Sequence, residues 1–190
     1  MKKILFVLVA MLTVLSVDAQ IVTSRSRSIK AKVSDNYTRV YGGYSNFGFK
    51  HESFNGADFG VLKGINIASA PLFVEFGGEL GWNMYSADYY DYSDSWHILS
   101  VSLPVSLSYK FDIDNGISIM PFTGPNFRLN VYDSVGKGDQ NIFQAGWNVG
   151  IGFAFNQFYV GYRFTANFNE YAEHWDEGGK INAVNIGYQF

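Results

Sequence analysis

Residues 145–155, AGWNVGIGFAF, alternate at every step: Trp147, Val149, Ile151, Phe153 and Phe155 fall on one side, and Gly146, Asn148, Gly150, Gly152 and Ala154 on the other. A period of two residues predicts a β-strand with two chemically different faces. The same pattern recurs. Over residues 71–85, Leu72, Val74, Phe76, Leu80, Trp82 and Met84 stand opposite Glu75, Gly77, Glu79, Gly81 and Asn83. Over 96–111, Leu99, Val101, Leu103, Val105, Leu107 and Tyr109 stand opposite Ser100, Ser102, Pro104, Ser106 and Ser108. Over 158–168, Phe158, Val160, Tyr162, Phe164 and Phe168 stand opposite Tyr159, Gly161, Arg163, Thr165 and Asn167. Two more strands are expected over 117–131 and 181–190, and two at 39–49 and 57–69. In the second of the last pair, Lys63 interrupts the face of Phe59, Val61, Ile65 and Ile67, which a bulge or an early loop would repair.

Eight strands result, and no stretch has a helical period long enough to compete. Their connectors alternate in length. Short turns are expected at 70–71, 112–116 and 156–157, and long polar loops at 50–56, 86–95, 132–140 and 169–179. That asymmetry fits an all-β, eight-stranded antiparallel up-and-down transmembrane β-barrel with both chain ends on the short-turn side.

Which face meets lipid decides between two barrels. A soluble barrel hides its bulky apolar row inside and shows water a charged exterior. Here the second face is Gly, Ser, Asn and Ala with few charges, which suits the narrow interior of eight strands. The bulky row is therefore assigned to lipid. The opposite facing would place Glu75, Glu79 and Arg163 in hydrocarbon, where one midplane Arg costs about 2–4 kcal/mol.

Composition agrees. Only 16% of residues are charged, against roughly 25% in soluble domains, while there are 20 Gly, 13 Tyr and 17 Phe. Residues 1–19 carry Lys2 and Lys3, an apolar run from Ile4 to Leu15, then Val17 and Ala19 at signal-peptidase spacing; they read as a signal peptide, with the mature chain starting near Gln20. Its removal takes away two positive charges and one negative, moving the formal charge from −3 to −4 and arguing against nucleic acid as a partner. Residues 20–38, Ser-rich with Arg25, Arg27, Lys30 and Lys32, read as a flexible periplasmic lead-in, and 39–190 as the barrel. The absence of cysteine excludes disulfides and thiolate metal sites, and no cofactor motif occurs.

The final stretch, VNIGYQF, places Ile186 and Tyr188 in alternation up to Phe190. It resembles the C-terminal strand by which outer-membrane barrels are recognised by their assembly machinery. Together with SLPVSLSYKF, PFTGPNFRL and VGIGFAF, it resembles the outer membrane protein β-barrel family of Gram-negative bacteria, in its PorT-like branch, over residues 39–190. The resemblance implies an outer-membrane location and supplies no catalytic residues.

Two groups of residues are candidates for function. Glu75 and Glu79 lie on one inward row about 13 Å apart, and Arg128 and Arg163, from two other strands, are placed to reach them. Such a lumen network either plugs the barrel, leaving a structural, adhesive or receptor-like role, or gates a narrow channel for small solutes or ions. At the loops, Tyr89, Tyr90, Asp91 and Tyr92, with Trp175, offer aromatic and acidic contacts to an extracellular protein or glycan; outer-membrane lipid and lipopolysaccharide are the expected surroundings. A lipid-modifying enzyme is the weaker alternative: His51 and Ser53 share a face without a third orienting group, so no enzymatic activity is expected.

Overall fold

Residues 36–49, 52–67, 70–88, 93–114, 116–134, 141–171 and 178–190 are described in the computed structural model. They form a single antiparallel sheet that closes on itself. Its strands are β1 (Tyr37–Phe49), β2 (Glu52–Asn66), β3 (Leu72–Asp88), β4 (Ser93–Tyr109), β5 (Phe111–Asp114), β6 (Ile117–Asp133), β7 (Phe143–Phe155), β8 (Phe158–Glu170) and β9 (Gly178–Gln189). Apart from β4 and β5, each strand pairs with its neighbour in sequence; β9 pairs with β1, and β4 pairs with β6. Strand β5 continues the β4 register along β6, from Ser108↔Phe122 to Phe111↔Ile119, so the two form one stave and the barrel has eight. Closure removes every open edge and pairs the backbone as a lipid environment demands.

The expected facing holds. On β7, Val149 and Phe155 are 52% and 55% exposed, whereas Asn148 is 0% exposed. Around the barrel the outer wall is Val40, Leu80, Trp82, Leu103, Leu107, Phe127, Val149, Phe153, Val160 and Ile186, all exposed. An apolar wall of this kind is suited to acyl chains. No described helix is long and apolar enough to cross a membrane, and the strands make the crossing instead.

Several expectations need correction. Residues 52–56 are not loop: they pair with β1 from Phe49↔Glu52 to Ser45↔Gly56. Likewise 86–88, 93–95, 132–133, 169–170 and 178–179 belong to strands. No bulge rescues Lys63, since the β2 register runs unbroken against both neighbours. Lys63 stays on the outer face opposite Phe76, three positions from the end of β2, where a long side chain snorkels toward headgroups. The signal peptide and the lead-in to Asp35 lie outside the described residues.

The junctions β2 to β3, β5 to β6 and β7 to β8 collect at one end, the turn end, with Tyr37 and Phe190, and residues 112–114, expected as a turn, pair with β6 as part of β5. Asn156 (φ 52°) and Gly116 (φ 83°) supply the left-handed backbone there, which Gly adopts freely and Asn tolerates; Asn156 N–H donates to the Gly116 carbonyl at 2.8 Å. Pro104 sits mid-stave in β4. With no N–H to give, it coincides with a gap in the β3–β4 ladder between Phe76↔Val105 and Glu79↔Ser102.

Candidate functional site in the barrel lumen

Among the described residues, small inward side chains leave room for six buried charged ones: Arg39 from β1, Asp58 from β2, Glu75 and Glu79 from β3, Arg128 from β6 and Arg163 from β8. Three cations balance three anions. Such balance is required where each unpaired ion would cost several kcal/mol.

Arg163 is the centre. Its Nη1 and Nη2 donate to Glu79 Oε2 and Oε1 at 2.5 and 2.6 Å, a bidentate fork, and Nη2 also donates to Asp58 Oδ2 at 3.3 Å. Tyr41 Oη–H donates to Glu79 Oε2 at 2.7 Å, and Ser45 Oγ–H to Asp58 Oδ1 at 3.0 Å. The chain continues through Asn83, whose Nδ2 donates to Ser45 Oγ at 2.8 Å, to Arg128, whose Nη2 donates to Asn83 Oδ1 at 3.4 Å. A second group lies nearer the turn end. There Arg39 Nη2 donates to Glu75 Oε1 at 3.3 Å and to Gln189 Oε1 at 3.0 Å; Tyr37 Oη–H donates to the same Glu75 oxygen, and the Tyr159 ring lies 3.7 Å from the guanidinium carbon.

Of the four residues expected here, Glu79 and Arg163 form a direct pair. Glu75 is bound by Arg39 instead, and Arg128 reaches neither glutamate: it is held by Asn83 and Asn130 and stacked 4.6 Å from the Phe47 ring centroid. Sequence reasoning missed Arg39 and Asp58. The alternation Tyr37, Arg39, Tyr41 and the step from Asp58 to Phe59 carried the signal: the apolar face assigned to Phe59, Val61, Ile65 and Ile67 already leaves Asp58 on the other side, whereas no faces are assigned over 39–49.

Apolar plugs close the column at both ends. At the loop end, Phe47, Phe54, Ile98, Tyr171 and Ile181 pack together, flanked by Tyr85 and Trp96. At the turn end, Tyr37, Phe73, Met120 and Ala154 do the same. Between them a cavity of about 20 Å³ lined by Arg39, Glu75, Ser106, Asn148, Arg163 and Asn185 has room for about one water.

Tyr89, Tyr90, Asp91, Tyr92 and Trp175 lie outside the described residues, as do His51 and His174. The side chain of Ser53 is exposed, and its Oγ accepts from Asn46 Nδ2 at 2.5 Å. His97 faces outward, its ring 6.1 Å from that of Trp82. No group of His, Asp or Glu suited to a metal ion occurs among the described residues. Ile186, Tyr188 and Phe190 stand on the outer wall, Tyr188 against Phe158 at 6.0 Å.

No protein-family model matches the chain, and no curated protein matches it in sequence. Among solved structures it is similar to Ail, the attachment invasion locus protein of Yersinia pestis, solved with a heparin analogue (14% identity, 83% of this chain and 100% of that one, TM-score 0.46). It is also similar to Neisserial surface protein A (14% identity, 82% and 96%, TM-score 0.49) and to the outer membrane enzyme PagL (17% identity, 81% and 98%, TM-score 0.49).

Proposed function

We propose that this protein is a closed outer-membrane barrel that acts as an anchor, with adhesion or reception carried by the segments at its loop end. The observation behind this reading is the filled lumen: a charge-balanced network held between two apolar plugs. An ion crossing it would have to displace Arg163 from a bidentate carboxylate and then pass two layers of close-packed aromatic rings. On this reading the loop-end tyrosines and Trp175 meet an extracellular protein or glycan, the wall meets outer-membrane lipid and lipopolysaccharide, and the strand ending in Phe190 is the element offered to the assembly machinery. On this reading the network's role is to hold the barrel shut.

Conductance across planar bilayers tests this. The purified barrel is expected to leave the bilayer silent at ±100 mV in molar salt. Steady openings that change with Glu79→Gln or Arg163→Gln would overturn the closed-barrel reading in favour of a gated channel.

A further inference from the structure

The outer wall is not apolar all the way round. On β2, β1 and β9 a single cross-strand row holds three asparagines side by side: Asn55 pairs with Asn46, and Asn46 with Asn182. The next row toward the loop end is Ser53, Gly48 and Lys180. All point away from the lumen, in step with the lipid-facing Val184 and Tyr44 of the row below. These positions lie near the loop-end margin of the apolar wall. Asn182 is paired with Phe164 and Lys180 with Ala166, and the exposed Phe168 stands farther along β8 toward the loop end. The apolar wall thus has a polar notch cut into its loop-end half.

The notch has a definite chemistry. Tyr44 Oη–H donates to Asn55 Oδ1, Asn46 Nδ2 donates to Asn55 Oδ1 at 2.9 Å and to Ser53 Oγ, and Tyr162 Oη–H donates to Asn182 Oδ1 at 2.7 Å. These bonds use the amide oxygens of Asn55 and Asn182, which leaves their two Nδ2 groups and the Lys180 ammonium as donors aimed outward. Lys180 is exposed, flanked by Gly48 and Ala166, which add no bulk around it. Among described residues it is the cation on the loop-end half of the outer wall, and the nearest carboxylate along β8 is Glu170 at the rim. At the margin of the wall, where headgroups begin, outward donors and a cation without a carboxylate beside them match an acceptor-rich, negatively charged group.

We propose that the β8–β9–β1–β2 face binds the headgroup of a phosphorylated glycolipid, its phosphate on Lys180 and its sugar oxygens on Asn182, Asn46 and Asn55. A second copy of this chain fits poorly, because a two-fold contact on this patch would set donors against donors and Lys180 against Lys180. The proposal rests on the outer-membrane reading for the identity of the leaflet, but its test does not depend on the lumen.

Native mass spectrometry of the detergent-solubilised chain, titrated with bis-phosphorylated lipid A, its dephosphorylated form and phosphatidylethanolamine, gives the measurement. The wild type is expected to retain lipid A at least ten-fold more tightly than either control. Lys180→Leu and the pair Asn46→Leu with Asn182→Leu should each remove that preference; Leu suits the wall, and heat-modified gel mobility verifies that the barrels are folded. Equal retention of lipid A by wild type and variants would refute the site. So would a dimer, present in the wild type and lost in the variants, because the occupant would then be another copy. Neither result would bear on conductance, which reads the inside of the wall.

Discussion

Replacing Arg163 by Met removes the one side chain that touches both Glu79 and Asp58. The side chain is roughly matched in volume, so the change is mainly electrostatic. Three charge-assisted hydrogen bonds vanish, two to Glu79 at 2.5 and 2.6 Å and one to Asp58 at 3.3 Å. Tyr41 and Ser45 still donate to the two carboxylates, but neither brings a charge. Two buried anions then face each other with Arg128, which hydrogen-bonds to neither, as their remaining cationic neighbour, and the loss is expected to cost about 3–5 kcal/mol, the range for breaking one member of a buried pair. If the cost is uncompensated charge rather than lost packing, adding Glu79→Gln should restore much of it, since a neutral amide still accepts from Tyr41 and the remaining network is again charge-balanced. The assay is reversible urea unfolding in phospholipid vesicles, followed by tryptophan fluorescence, comparing the wild type, Arg163→Met, Glu79→Gln and the double variant. A single variant within about 1 kcal/mol of wild type, or a double variant less stable than Arg163→Met, would refute the claim that the lumen is held by paired charge.

Three further outcomes follow from the same structure. Val149→Arg, at a lipid-facing position, should lower stability by about 2–4 kcal/mol, and Asn148→Ala, which loses the 2.6 Å bond accepted from Thr165, by about 1 kcal/mol; vesicle unfolding that ranks them the other way would reverse the facing. Gly77→Ala would bring a Cβ to 1.9 Å from the Val61 carbonyl oxygen, so folding yield in vesicles should fall sharply, with a cost of at least about 1–3 kcal/mol. In bilayers of brominated lipid, a variant keeping only Trp147 should be strongly quenched, and one keeping only Trp96, which packs with Tyr85 against the loop-end plug, much less.

The sequence pattern exposes the wall and hides the rim, for a physical reason. A strand needs about 9–11 residues to cross a bilayer, yet these staves run to 17 residues in β3, β4 and β6. Past the hydrocarbon the outward face meets water, both faces become polar, and the two-residue alternation that marks a strand disappears. That is why Glu52, Asn55 and Gly56 read as loop while their backbones are paired with β1. The lumen was legible where a charge interrupted a row of small residues, as with Glu75, Glu79 and Arg163. It was not read at Arg39, where glycines at 42, 43 and 48 leave the faces of β1 without contrast, nor at Asp58, which precedes the oriented run of Phe59, Val61, Ile65 and Ile67. Nor can alternation reveal partners: Glu75 and Glu79 share a strand face but belong to separate groups, one held by Arg39 and the other by Arg163, because each partner comes from a strand whose distance round the barrel the local pattern does not encode.

The seam between β1 and β9, where Thr38 and Phe190 exchange backbone hydrogen bonds at 2.8 and 2.9 Å, joins the first described strand to the last. Until β9 is in place beside β1, the sheet has two raw margins and nothing to close against. The first strands alone therefore cannot complete the structure: the hydrocarbon-facing wall comes into being as a unit, only when β1 and β9 meet.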